Sequence, residues 1–469
     1  MSSTGTRAVV LGGSIAGLFA AKVLSEAYDE VLVVDRDVLL GADGPRRSCP
    51  QGKHINGLLA RGQKAMEELY PGITEELFAD GVPTGDLAGD VRWYFNGRRL
   101  KPQSAELVCV AASRPMLEKH IRNRTNAVEN ITFQQETDIL GLETTPDRRR
   151  VTGIRVQGKA DTAERVISAD LVVDATGRGS RTPIWLEDLG YPRVEEERKK
   201  IGLGYVTQHY RLTKDPYHGD LSINPAASPE VPRGAIFTKT DGDRVELTVY
   251  GLLGDHPPTD QAGFYEFVKS LAIPDIHLAL QHAEPLDEPV AFRFPTTLRR
   301  HYETMSRFPD GLLVTGDAVC CFNPIYAQGM SVAALGALTI RAHLHTGATP
   351  QPLQYFRDLA TDAIDATWEM TNTVDLSFKG VEGNRTLKVR MGQKYLKLVQ
   401  TAATRDGAVT AAYMRAAGLV ESPESLMRPS MVLRVLRNAV RGPAANPPLL
   451  EPAPRETPKT TRNTRRKAA

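Results

Sequence analysis

The chain has 469 residues, 41% hydrophobic and 24% charged, a composition that suits two or three folded domains and excludes a fibrous or disordered body. Its formal charge of +2 conceals a basic end. Pro443–Ala469 carries six basic residues against two acidic ones, so the rest is slightly acidic and offers no electrostatic case for nucleic acid. Four irregularly spaced cysteines, Cys49, Cys109, Cys320 and Cys321, form neither CxxC pairs nor a disulfide framework, which predicts a reducing cytoplasm and no metal site.

"RAVVLGGSIAGLFAAKVLSEAYDEVLVVDRD" reads as strand, glycine turn, helix and strand. Three glycines and Lys22 interrupt its apolar stretch, which argues against an export signal, and no run reaches the roughly 18 apolar residues of a membrane span. Gly12, Ser14 and Gly17 occupy the three positions of G-x-G-x-x-G. Ile15 and Ala16 lie between them, and Asp35 and Arg36 follow the second strand. Such a loop needs a tight turn, close approach of backbone to a pyrophosphate, and phosphates at a helix N-terminus, while Asp35 suits ribose hydroxyls and repels a 2′-phosphate. Ser14 departs from the middle glycine but adds a hydroxyl donor.

Asn96-Gly97 and Asp241-Gly242 separate strand-like runs and predict hairpins, so an antiparallel sheet interrupts the α/β domain. "ADLVVDATGRGS" and "DGLLVTGDA" are buried-strand runs ending in glycine turns, which return the chain to the first domain. The expected fold is thus α/β: a Rossmann-like dinucleotide-binding domain interrupted by an antiparallel β-sheet domain, followed by C-terminal helices. The first domain is discontinuous (1–75, 105–182, 290–345). The sheet domain takes 76–104 and 183–289, helices take 346–442, and the proline-rich 443–469 reads as a disordered tail. The arginines of "SMVLRVLRNAVRG" suit either a solvated face or peripheral membrane contact.

The motifs in order resemble flavoprotein monooxygenases of the para-hydroxybenzoate hydroxylase fold, most closely bacterial polyether-type epoxidases related to squalene monooxygenase. "GGSIAG" with "VVDRD", "RRSCPQGKHINGLL", "ASRPMLEKHIR", "VVDATGRGSR" and "GDAVCCFNPIYAQGM" carry the likeness over about residues 7–345. The resemblance implies that Asp317 bonds the ribityl chain of FAD. Gln328, Gly329 and Met330, after Pro324, would present amides to the flavin. Arg114, Gln51 and Arg46 or Arg47 would line the cofactor, and the Ile139 backbone would touch adenine. Ala327 replaces a glycine of P-x-x-G-x-G and is expected at negative φ. Asn56 replaces a histidine of the P-Q loop, leaving His54 as a weak catalytic candidate and better as a structural hydrogen bond.

The implied activity is FAD-dependent oxygen insertion from O2 through a C4a-hydroperoxyflavin, with electrons from NAD(P)H directly or through a flavin reductase. With no base legible in the sequence, the reading leans towards alkene epoxidation or ring hydroxylation of a small apolar or aromatic substrate in natural-product tailoring, antibiotic biosynthesis included. Tyr205, Tyr210 and Phe237 are the pocket candidates, and Trp93 and Tyr94 lie nearby. A geranylgeranyl-reductase-like alkene reductase, a flavin halogenase (whose W-x-W-x-I-P signature is absent) and a non-catalytic binding protein are the alternatives. The paired cysteines read as small apolar filling.

Overall fold

The computed structural model describes residues 4–454. Five parallel strands build the first sheet, in the order Leu312–Val314, Leu171–Asp174, Gly5–Leu11, Tyr28–Val34 and Ile131–Gln134. Apart from edge strand Ile131–Gln134, these strands carry apolar runs (AVVL, VLVV, LVV and LLV) because both sheet faces are covered there. Helices Ile15–Leu24 and Gly329–Leu344 bury Leu18, Phe19, Ala334 and Ile340 in the same core that receives Val151, Ile154 and Val156 from a three-stranded antiparallel sheet.

The second large sheet has nine strands and is mixed. Its spine is the 17-residue strand Glu196–Leu212, which pairs antiparallel with Arg244–Gly251 and with Val290–Arg300. Both expected hairpins form, with Asn96, Gly97 and Gly242 at positive φ. Helices Gln261–Lys269 and Asp275–Leu280 cover one face, burying Phe264, Phe267 and Ile276 against Val206, Phe237 and Leu247.

Two boundaries differ from the sequence reading. Val290–Arg300, expected in the nucleotide domain, belongs to the large sheet, because its long register with Glu196–Thr207 is a non-local pairing that local pattern does not reveal. The segment from Pro443 is also not free as far as it is described: Asn446 donates its amide to Gly97 O at 2.8 Å, Ala444 N donates to Thr404 Oγ1, and Ala453–Pro454 pairs with Lys214–Asp215. Residues 455–469 lie outside the described part. Among the described residues no helix is long and apolar enough to cross a membrane.

Candidate functional site

Gly12 turns the chain at φ +94°, and a Cβ there would approach Ala175 O to 2.8 Å. A Cβ on Gly17 would sit 1.8 Å from Gly12 O, so Gly12 is required by space and by angle and Gly17 by space alone. Ser14 occupies the helix N-cap without capping it; its Oγ instead accepts from Arg114 Nη2 at 3.1 Å. The first amides of Ile15–Leu24, with buried Ile15 and half-buried Ala16, therefore remain available to an anion. Asp35 is buried at the strand end, where its carboxylate accepts Gly13 N at 2.6 Å and Asp37 N at 2.8 Å. It shapes the loop, and its remaining lone pairs suit a ribose hydroxyl.

Glu118, overlooked in the sequence, is the centre of this region. One turn into helix Arg114–Asn126, it accepts from Arg114 Nε at 3.2 Å and from Arg46 Nε at 2.9 Å. Burial alone would push its carboxyl up, but the two guanidinium groups hold it below the usual carboxylate range. Arg46 also lies 3.5 Å from Asp37 and 3.9 Å from Asp35, so it is a buried hub of the loop and not a free ligand. The i, i+4 spacing in "RPMLE" was the available signal. A cleft opens beside these groups, lined by Gly44, Pro45, Arg46, Cys49, Arg114 and Glu118. Arg36 and Arg47 are exposed, and Ile139 is half-buried in strand Thr137–Thr144.

The second glycine motif reaches the same place. Gly316 (φ +64°) turns the chain so that Asp317 faces the start of helix Gly329–Leu344, where a Cβ on Gly329 would lie 3.7 Å from Asp317 Oδ1. Burial raises the Asp317 carboxyl, opposed by Arg114, by the Cys321 thiol donating at 3.7 Å, and by Arg178. Arg114 thus ties the two motifs together, bonding Ser14 while acting on Asp317. Burial pushes the thiols of Cys49, Cys320 and Cys321 up, which keeps them protonated. Cys321 is more than filling, since Arg178 Nη1 reaches its sulfur at 3.6 Å.

Ala327 sits at φ +55°, ψ 29°, in the left-handed region, and not at the negative φ expected of it. The flanking contacts impose this conformation. The turn Pro324–Tyr326 is fastened to Asp375, and Gln328 is buried with its Nε2 donating to Ala417 O at 2.8 Å. Gln328 makes no side-chain cap, so the amides opening the helix at Gly329 and Met330 are left free of one, and among the described residues Gln328 Oε1 is a buried acceptor without a partner.

Across from these motifs lies one face of the large sheet. His54 is buried, its Nδ1 2.8 Å from Thr207 Oγ1 and its ring edge-on to Tyr205 at 4.8 Å, with Phe292 stacked on Tyr205. Burial pushes the imidazole down to about 4, so it is neutral. Gln51 lies in the turn Pro50–Lys53, and Asn56 staples that loop by donating to Gln51 O and His54 O.

Tyr205 therefore faces the nucleotide domain, but Tyr210 and Phe237 do not. Tyr210 is five residues along the same strand and so on the opposite face, and Phe237 is stacked on Tyr217 beneath the covering helices. Alternation instead puts Thr248 and Glu246 beside Thr207, and the Thr207 and Thr248 hydroxyls are 2.6 Å apart. Glu246 was not legible in the sequence. It is buried, its Oε1 has no partner among the described residues, and burial with Asp241 nearby pushes its carboxyl up to about 8.

The donor set fits an FAD: uncapped helix starts at both glycine motifs, an acidic group at each strand end, and space that a Cβ would fill. A family model described as FAD binding domain matches residues 5–346. Protein Rv3254 of Mycobacterium tuberculosis (strain ATCC 25618 / H37Rv) is 33% identical over 392 residues, covering 79% of this chain and 80% of its own. PqsL of Pseudomonas aeruginosa, described as a probable FAD-dependent monooxygenase, superposes with a TM-score of 0.61 at 14% identity, over 80% of this chain and 99% of that one. The flavin-dependent brominase Bmp2 gives 0.63 at 14% identity, over 93% and 100%. At such identities the two structures show a common fold.

Proposed function

This chain belongs to the FAD-binding-domain family of the para-hydroxybenzoate hydroxylase fold, and from that premise we propose that it is an FAD-dependent monooxygenase acting on a small apolar or aromatic substrate. The observation that carries this reading is the meeting of Arg114, Ser14 and Asp317, from three distant segments, opposite a sheet face bearing Tyr205, Thr207 and Thr248. Bound FAD supplies the electron transfer and oxygen activation. The chain's own residues do the rest. Gly12 and the uncapped helix start receive phosphates, Asp317 holds a hydroxyl-bearing chain, and the helix amides after Gln328 stabilise negative charge. Buried His54 and Tyr205, with half-buried Phe292 stacked on Tyr205, exclude water from the sheet face.

Alkene epoxidation needs no protein base and remains the first reading, in a natural-product tailoring role and with NAD(P)H or a flavin reductase as electron source. The four buried free thiols suit a reducing cytoplasm. A second reading, ring hydroxylation, is favoured by Glu246, whose unpartnered carboxyl oxygen is a proton-transfer group on the substrate-facing side of the sheet. The fold shared with a brominase makes halogenation the competing outcome. The deciding experiment is anaerobic reduction of the FAD-loaded protein by NADH, NADPH or a separate reductase, followed by oxygen with polyene, terpenoid and phenolic substrates. Substrate-dependent oxygen uptake with a product one oxygen heavier is expected. A colourless protein that cannot be reconstituted with FAD, or bromide incorporation without oxygenated product, overturns the reading.

A further inference from the structure

Two C-terminal helices, Leu387–Ala403 and Pro429–Ala439, pack side by side, with Val399 and Val435 fully buried and Tyr395, Met431 and Ala439 against them. Their outer faces are apolar. Leu387 (74% exposed), Met391 (61%) and Leu398 recur at i, i+4 and i+11, and Leu433 (71%), Leu436 and Val440 (82%) at i, i+3 and i+7, so each set forms a stripe along one side of its helix. Single exposed apolar residues are ordinary, whereas nine of the seventeen large ones among the described residues fall between 387 and 450.

The charges on these helices are all of one sign: Lys388, Arg390, Lys394, Lys397, Arg434 and Arg437, with no Asp or Glu. Three are held by neighbouring elements, Lys388 by Glu369, Lys397 by Glu230 at 3.9 Å and Arg434 by Asp406 at 2.6 Å. Arg390, Lys394 and Arg437 form no ion pair among the described residues. Apolar stripes flanked by cations alone are the composition of a helix lying in a membrane interface. A second copy docked on the same face would set cation against cation. Neither helix is apolar enough to span.

We propose that these two helices form a docking surface for an anionic lipid bilayer. Val399 shares a buried cluster with Val91 of the large sheet, so docking there brings the hydrocarbon phase near the domain expected to take an apolar substrate. The surface itself stands independently of the proposed activity. The test is co-sedimentation of the full chain with vesicles of phosphatidylcholine alone or mixed with phosphatidylglycerol, at low and high salt. Binding to the mixed vesicles that weakens with salt is expected. L433E/V440E, at exposed positions, should lower partitioning about 10-fold or more with unchanged melting temperature and FAD content. K394Q/R437Q should weaken binding to the anionic vesicles alone. Absence of binding, equal binding by L433E/V440E, or light scattering showing a dimer that L433E/V440E dissociates would each overturn the proposal.

Discussion

The hydroxyl of Tyr326 donates to Asp375 Oδ1 at 2.8 Å, and the same oxygen accepts the Asn323 amide at 2.8 Å. A helix outside the region matched by the family model thus fastens the turn that leads into helix Gly329–Leu344. Asp375→Ala would leave both donors buried and unpaired, a cost of about 2–4 kcal/mol, and should weaken FAD binding. Thermal melts with and without FAD check this; unaltered affinity would show that the turn holds its shape without Asp375. Burial pushes Asp375 up to about 6 from 3.8, so its contribution to stability is full below the lower value and lost as pH rises through the upper one. Asp375→Asn should remove that decline.

Ala327 is a residue with a Cβ at an angle that favours glycine. Ala327→Gly relieves the left-handed conformation but increases the freedom of the unfolded chain, a balance that should leave the protein more stable by roughly 0.5–1 kcal/mol. Ala327→Val should be clearly destabilising. Chemical denaturation of the three proteins measures the series, and a less stable glycine variant would show that strain is not stored there.

Glu118 neutralises two buried guanidinium groups. Glu118→Gln should cost about 3–5 kcal/mol and loosen the dinucleotide loop, because Arg46 and Arg114 stay buried with less countercharge. Its lowered carboxyl adds stability above the ordinary glutamate range that disappears as pH falls. The wild type should therefore lose stability on acidification faster than the variant, which acid titration of the melting temperature would reveal.

Glu246 should behave in the opposite sense. Its carboxyl stands near 8 against 4.5 for an ordinary glutamate, so its contribution is complete below 4.5 and is lost as pH rises through 8. Glu246→Gln should match the wild type in stability at pH 5 and exceed it at pH 9, by an amount on the order of a few kcal/mol. If Glu246 transfers a substrate proton, the variant also loses the corresponding limb of the kcat pH profile; an unchanged profile leaves epoxidation as the reading.

What the sequence revealed was local chemistry. Gly12, Gly17, Asp35 and Asp317 were legible because turn geometry and strand ends depend on a few adjacent residues. Tyr210 and Phe237 were misplaced because their facing depends on register across strands far apart in the chain, and the same non-locality hid Glu246. The docking of Pro443–Pro454 escaped because composition speaks of solubility and not of a hydrogen bond such as that of Asn446 to Gly97. Ala327 misled for a different reason: contacts from Asp375 and Ala417 override the intrinsic preference of an alanine.

Only Thr315–Val319 separates strand Leu312–Val314 of the parallel sheet from strand Cys320–Cys321, which is paired to Leu298–Arg299 of the large sheet. Five residues cannot act as a long hinge, since even fully extended they reach about 17 Å. Any swing of the two domains apart would have to peel this bridge from one sheet or the other. Under the proposed activity, substrate and product therefore have to pass by way of the loops around the cleft, Arg36 to Gly57 above all, and not by a parting of the two sheets.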